Sequence, residues 1–205
     1  MKYNMKNIGV FLCAMFLLIT KNASSQTCCE NNNPWIIGFG INVIYDSGEK
    51  VSGFLDFNEN YHFSNPFRLS IEKRFKDDFG FEISGTSNRY LEGKSINGLT
   101  VQEDISFLGL EGVFKYYITN RYLNIYRAIY EGYIGSGLGI SFFDNTGATY
   151  ANLNFGVNYY LSESIYLNGQ VNGNFSISNN DNVVGSNYIQ YNLGLIIKLS
   201  DNDFN

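Results

Sequence analysis

The chain has 205 residues and a formal net charge of −5 at pH 7, and only 16% of its residues are charged. Aromatic residues make up 17%, and the chain has 21 glycines but only two prolines. Soluble domains carry about 25% charged residues, so this composition is unusual for a soluble protein. The excess of acidic residues argues against a nucleic-acid partner.

The first 25 residues have the three-part layout of a secretory signal peptide. Lys2 and Lys6 precede an apolar run at 8–20, and small residues at 23–25 precede Gln26. The run has about 13 residues, whereas a membrane-spanning helix needs roughly 20. We therefore predict a cleaved signal peptide at 1–25 and a short periplasmic leader at 26–33. A retained anchor helix is the alternative.

The cysteines do not form a disulfide framework. Cys13 lies within the apolar run, and Cys28 and Cys29 are adjacent in the predicted leader. Neighbouring cysteines cannot connect distant elements, so we expect no structural staple. The residues before Cys28 do not fit a lipidation motif.

Eight later segments alternate apolar and polar residues with a period of two, which is typical of β-strands. They lie at 35–45, 67–75, 79–86, 108–116, 131–142, 150–161, 165–177 and 189–199. Most are close to the roughly 9–11 residues that a tilted transmembrane strand needs. The sequence therefore predicts an all-β fold, an eight-stranded antiparallel up-and-down transmembrane β-barrel at 34–199, with a C-terminal tail at 200–205.

The connections between these segments differ in length. Short or moderate turns are predicted at 76–78, 119–127 and 162–164. The opposite connections are at 46–66, 91–103, 144–147 and 179–187, and three of these four are long. Membrane barrels of this kind have short periplasmic turns and longer outer loops. We expect the long loops to face the cell exterior.

Alternation alone does not decide which face of the barrel points outward, and a soluble ligand carrier would place the apolar face inside. The polar face is rich in Asn, Gly, Ser, Gln and Tyr, unlike the Lys- and Glu-rich surface of a soluble barrel. Glycines cluster on it, which leaves room for side chains in a narrow lumen. Aromatic residues end the apolar rows, as in interfacial girdles. These are Trp35, Tyr45, Phe67, Phe75, Phe142 and Tyr159. These features favour an apolar face in contact with lipid.

Seven charged residues fall on the predicted inner face. These are Arg68, Glu72, Arg74, Glu82, Glu111, Lys115 and Glu131. A lumen of eight strands is narrow enough to be filled by side chains, and isolated buried charges are costly. We expect these residues to pair and to close the lumen. The alternative is a narrow porin-like channel for small solutes, whose charges re-pair on opening.

The sequence offers little evidence of catalysis. The only histidine is His62, near Ser64 in the first long loop, and an outer-membrane lipid-modifying enzyme would need such a base beside a nucleophile. No outward-facing partner accompanies it, so we predict no catalytic residues, no cofactor and no metal site. The same loop has apolar residues able to contact a partner or the lipopolysaccharide surface. These are Phe54, Leu55, Phe57, Tyr61 and Phe63.

Three stretches resemble the OmpA-like outer-membrane β-barrel superfamily, especially its small Bacteroidetes-type members. Residues 33–42, 65–70 and 194–199 resemble the first, second and last strands of that family. The resemblance implies a Gram-negative cell-envelope protein, a monomeric barrel among outer-membrane lipids and lipopolysaccharide, with a structural or surface-interaction role. It implies a barrel without the periplasmic peptidoglycan-binding domain of larger members.

The last strand also resembles the β-signal read by the barrel-assembly machinery. The matching residues are Asn192, Gly194, Ile197 and Leu199. Such a strand can be recognised by strand addition to an exposed sheet edge. The motif implies an assembly partner, although many amphipathic strands with one glycine fit it.

Overall fold

The computed structural model describes residues 33–46, 61–75, 78–96, 98–123, 128–144, 146–177 and 186–199. The predicted signal peptide, most of the leader, all three cysteines and the tail at 200–205 lie outside the described residues. In the described part of the chain, no helix is long and apolar enough to cross a membrane.

Most of the described residues lie in eight long strands. They are β1 (Trp35–Tyr45), β2 (Phe67–Phe75), β3 (Phe79–Tyr90), β4 (Ile105–Tyr116), β5 (Tyr130–Phe143), β6 (Thr146–Tyr160), β7 (Ile165–Ser176) and β8 (Tyr188–Leu199). Each strand pairs antiparallel with the next, and β8 pairs with β1 along the whole of β1. The sheet is therefore a closed up-and-down barrel, which confirms the predicted fold class.

The side chains alternate between an apolar exterior and a polar interior. Phe39, Ile83 and Leu193 are 39%, 52% and 52% exposed, whereas the inward Asn154 and Gln190 are fully buried. Soluble monomers rarely expose apolar surface of this extent. The outward orientation of the apolar face is confirmed, and the arrangement of a soluble carrier is excluded.

The connections define two ends of the barrel. At the tight-turn end lie the turns after β2, β4 and β6, and the second of these contains a 3₁₀ helix at Ile118–Arg121. At the long-loop end, the strand Tyr61–His62 pairs with the end of β1. The loop after β3 contains a short hairpin whose two strands, Ser95–Ile96 and Leu99–Thr100, have two residues each.

At this end β3 and β4 extend four and three residues beyond their predicted bounds. The polarity of the two faces reverses in these extensions. Arg89 and Ser106 are exposed on the outside, whereas Tyr90 and Phe107 are buried inside. The prediction relied on an apolar exterior and therefore stopped where this pattern ended.

At the tight-turn end, a cation and an aromatic ring meet on the outer wall. Lys73 Nζ lies 5.0 Å from the centroid of the Trp35 ring and donates a hydrogen bond to the Asn33 carbonyl at 2.5 Å. A lysine stem that covers apolar surface while its ammonium group reaches polar partners is typical of a membrane interface. The predicted girdle residue Trp35 thus has the surroundings expected of one.

Candidate functional site: the barrel lumen

Six of the seven predicted lumen charges form one unbroken chain of ion pairs near the tight-turn end, here called the charged layer. In order, its members are Glu131, Arg74, Glu72, Lys115, Glu82 and Arg68. The nitrogen-to-oxygen distances from Arg74 to Glu72 and from Arg68 to Glu82 are both 2.7 Å. All six residues are at most 7% exposed. Positive and negative groups alternate, so each buried charge has an opposite partner.

Lys115 resolves a local repulsion within this layer. Glu72 and Glu82 lie directly opposite each other on β2 and β3, where like charges destabilise a strand pair. The Lys115 ammonium, from β4, lies 3.0 Å from Glu72 Oε2 and 2.7 Å from Glu82 Oε2. One cation therefore compensates both carboxylates.

Two tyrosines support the cations of the charged layer. The Arg74 guanidinium carbon is 3.3 Å from the centroid of the Tyr117 ring, and the Tyr117 hydroxyl donates to Glu72 Oε1 at 2.5 Å. Lys115 Nζ lies 4.4 Å from the Tyr133 ring centroid. Cation–π contacts of this kind are strongest where water is excluded. They complete the packing around the ion pairs.

Next to the charged layer, the lumen is lined by Glu111 and side-chain amides, here called the middle layer. Its amides belong to Asn42, Asn152, Asn154, Gln170, Asn172, Asn174, Gln190 and Asn192. Glu111 Oε2 accepts a hydrogen bond from Asn172 at 3.0 Å, and Asn172 accepts one from Gln170 at 2.7 Å. Among the described residues Glu111 has no ion pair. The structure therefore joins six of the seven predicted lumen charges in ion pairs and leaves Glu111 outside them.

Glycines on the inner wall make room for these side chains. A Cβ on Gly156 would lie 2.3 Å from the Tyr133 ring, and one on Gly38 would lie 2.4 Å from Ser70 Oγ. A Cβ on Gly137 would lie 1.9 Å from the Gly112 carbonyl oxygen. The glycines of the polar face are therefore needed to pack the lumen.

The long-loop end of the lumen is filled by an apolar cluster, here called the aromatic plug. Its members are Ile44, Tyr90, Ile96, Val101, Phe107, Phe143, Ala148, Tyr150 and Tyr188. The Phe107 ring packs against Phe143 and Tyr188 at centroid distances of 5.2 and 5.8 Å. Ile96 and Val101 come from the loop after β3, so that loop folds over the barrel mouth. The alternation of the sequence does not indicate this plug.

His62 lies against the plug. Its ring is 4.0 Å from that of Tyr90, and Nε2 is 3.1 Å from the Ser95 carbonyl oxygen. Burial, assisted by the nearby Lys94, lowers the pKa of His62 to about 4, while the Ser95 carbonyl opposes this shift. His62 is therefore neutral at pH 7 and connects the first two long loops. The backbone N–H of the nearby Ser64 donates a hydrogen bond to the Asn88 side chain at 3.1 Å.

The predicted β-signal residues lie on β8 at the seam where the barrel closes. Gly194 is opposite Gly40 of β1, and a Cβ on Gly194 would lie 2.4 Å from the Phe39 carbonyl oxygen. Asn192 faces the lumen, whereas Ile197 and Leu199 belong to the outward row. Gly194 thus has a packing role that does not depend on recognition by an assembly factor.

The closed eight-stranded antiparallel barrel is the fold of small outer-membrane β-barrels of known structure, as the OmpA-like resemblance implies. OprG, an outer membrane protein from Pseudomonas aeruginosa, superposes with a TM-score of 0.56 at 16% identity, over 83% of this chain and 98% of its own. Neisserial surface protein A gives 0.55 at 14% identity, over 82% and 98%.

The outer membrane protein AlkL, studied in lipid bilayers, gives a TM-score of 0.52 at 15% identity over 89% of this chain and 97% of its own. No protein-family model and no curated protein matches the sequence. At these identities the likeness establishes the fold.

Proposed function

We propose that this protein is an integral barrel of the bacterial outer membrane with a structural or surface-interaction role and a closed lumen. The observation that carries the proposal is the combination of an apolar outer wall with a lumen blocked at two levels. An apolar wall requires lipid around it. A lumen occupied by ion pairs and aromatic rings leaves the outer surface and the loops as the interacting parts.

The two blocked levels differ in chemistry. Passage through the charged layer requires breaking ion pairs such as Arg74–Glu131 and Lys115–Glu82, which costs several kcal/mol in a buried setting. Passage through the aromatic plug requires displacing fully buried rings such as Tyr90 and Phe107. A solute would have to pass both levels to cross the barrel.

Cell fractionation and bilayer conductance test this proposal. The protein is expected in the outer-membrane fraction with heat-modifiable gel migration, and in planar bilayers it is expected to give no steady current above background. Recovery from the soluble periplasm would contradict the membrane location. Steady channels would favour the narrow porin-like alternative, for which the hydrophilic middle layer is the supporting observation.

A surface role requires the long-loop end to face outward. Leu99, at the tip of the hairpin after β3, is 55% exposed, and Glu163 is exposed in a turn at the opposite end. In a variant with Cys28 and Cys29 replaced by serine, Leu99→Cys should react with a membrane-impermeant maleimide on intact cells. Glu163→Cys is the matched control and should react only after lysis. The reverse result would contradict the orientation.

The interactions follow from this placement. We propose that outer-membrane lipids and lipopolysaccharide surround a monomeric barrel, and that the barrel-assembly machinery inserts it after cleavage of the signal peptide. We propose no enzymatic activity, because the His62 ring is buried, its Nε2 is hydrogen-bonded to a backbone carbonyl, and a pKa of about 4 makes it a weak base. If any lipid-modifying activity is detected, His62→Ala decides whether His62 takes part in it.

A further inference from the structure

We propose that the middle layer of the lumen binds one monovalent cation, held by Glu111 Oε1 and by the side-chain oxygens of Asn152 and Asn154. This site is independent of the surface-interaction role proposed above. It rests on a charge imbalance, on unpartnered amides, and on the way β4, β6 and β7 bring these groups together.

The first observation is the charge balance. The charged layer contains three cations and three carboxylates, and its ion pairs connect all six, so that layer is neutral. Glu111 is left over, 4% exposed, with Oε1 unpartnered among the described residues. Arg68 is close enough to attract it, but the Arg68 guanidinium binds Glu82 at 2.7 Å. One negative charge therefore remains uncompensated in a buried place, where this is expensive.

The second observation concerns the neighbouring amides. Asn152 and Asn154 are 3% and 0% exposed, and in the described structure neither oxygen nor nitrogen of either side chain has a hydrogen-bond partner. Buried polar groups in native proteins are almost always satisfied. Since both ends of each amide are unengaged, each can turn its oxygen towards a ligand without breaking a bond.

The third observation is that these groups converge. Asn154 lies directly opposite Asn172, which donates its hydrogen bond to Glu111. Asn152 and Glu111 flank the same glycine, because a Cβ on Gly139 would lie 3.7 Å from Asn152 Nδ2 and 3.1 Å from Glu111 Cγ. Asn152 of β6 thus lies near the carboxylate of β4, and Asn154 lies beside the residue of β7 that binds this carboxylate.

The ligand chemistry follows from these donors. One carboxylate with neutral amide oxygens is a hard, all-oxygen set, and a single positive charge completes the balance. A divalent ion would leave an excess positive charge. The described residues contain no group of three or more His, Cys, Asp or Glu side chains able to hold a metal ion. Water can hydrogen-bond to the amides, but it does not neutralise Glu111.

Because the lumen is closed, the ion must enter while the barrel folds, and the salt is therefore varied during refolding. The full mature chain is refolded from urea into detergent with NaCl, KCl or choline chloride at equal ionic strength, and thermal unfolding is followed by heat-modifiable gel migration. Choline is the control cation, because its quaternary ammonium group is much larger than Na⁺ or K⁺. We expect the unfolding temperature in Na⁺ or K⁺ to exceed that in choline by about 2–4 °C once the salt exceeds its dissociation constant several-fold.

The variants separate this site from a general salt effect. Glu111→Gln should lose the difference between the salts, whereas Glu103→Gln, at an exposed loop carboxylate, should keep it. Loss of the difference in both variants, or its absence in the wild-type protein, would overturn the proposal. So would a wild-type unfolding temperature that depends on pH but not on the cation, because a proton would then neutralise Glu111.

A second measurement does not depend on the folding of a variant. Wild-type protein refolded and crystallised in RbCl should give an anomalous scattering peak beside Glu111 Oε1. Crystals without such a peak would contradict the proposal.

Discussion

The two ends of the lumen are closed by opposite kinds of chemistry. The charged layer near the tight-turn end consists of ion pairs between side chains of β2 to β5, whereas the aromatic plug at the long-loop end consists of rings and aliphatic side chains. Ion pairs depend on every partner being present. A plug of rings depends on total volume, and neighbouring side chains can shift into a gap. The same barrel therefore has one end that should be sensitive to single substitutions and one that should be more tolerant.

The largest effect is expected from Arg74→Ala in the charged layer. This change leaves the carboxylates of Glu72 and Glu131 without their guanidinium partner and removes the contact with Tyr117. Breaking a buried pair by removing one partner costs about 3–5 kcal/mol. The free energy of unfolding in urea, measured in detergent micelles, should fall by this amount.

Arg89→Ala is the matched control for that experiment. Arg89 and Asp104 are 3.9 Å apart with roughly half-exposed side chains. Exposed pairs of this kind contribute about 0–1 kcal/mol. Equal losses for the two arginine variants would mean that the charged layer has no special energetic role.

A somewhat smaller effect is expected from Phe107→Ala in the aromatic plug. Phe107 is 2% exposed and contacts rings from β3, β5 and β8. Phenylalanine-to-alanine changes in cores cost about 3–5 kcal/mol, and we expect the lower end because the neighbouring rings can partly fill the cavity. The same urea titration measures it.

Phe114→Ala, on the lipid-facing side of the same strand, is the control for Phe107→Ala, since Phe114 is 50% exposed. Planar bilayers add a second readout. Phe107→Ala should remain non-conducting because the charged layer still closes the lumen. Steady current from this single variant would show that the plug alone closes the barrel.

The smallest effect is a pH dependence that originates in His62. Its folded pKa of about 4 lies below the ordinary value of 6.5, so the folded state favours the neutral ring. Stability from this group is complete above pH 6.5 and is lost as the pH falls towards 4, because only the unfolded chain takes up the proton. Between pH 7 and pH 4.5 the wild-type protein should lose about 2 kcal/mol more than His62→Gln. Identical pH profiles for the two proteins would contradict the inferred burial of the ring.

The charged layer could be predicted from the sequence, and the plug could not. Arg68, Glu82 and Lys115 fall on the polar side of strands whose other side is apolar, so alternation assigns them to the lumen. Tyr90 and Phe107 lie where the outward residues are Arg89 and Ser106. There the barrel wall faces polar surroundings and its interior is apolar, which reverses the pattern.

Glu111 is the one charged residue of the seven without an ion pair among the described residues, and the alternation along its strand could not indicate this. Glu111 shares the inner face with the other charges, but its partner, Asn172, comes from β7 across the lumen. Strand patterns indicate which face a side chain belongs to. They do not indicate which group it meets across the barrel. The contacts of Ile96 and Val101 with the aromatic plug could not be predicted either, because residues in loops do not follow the two-residue alternation of a strand.

The seam of Gly40 and Gly194 has a consequence for how the chain must be made. These residues belong to the first and last strands, and their backbones approach so closely that neither position has space for a side chain. The first and last strands are separated by nearly the whole barrel sequence. Their pairing is slow, because a large loop has to close before the contact is formed. Until β8 is present, β1 has an unpaired edge that is open to aggregation. Because synthesis starts at the N-terminus, β1 is made long before its partner β8. The chain therefore needs protection from aggregation until β8 has been made and paired.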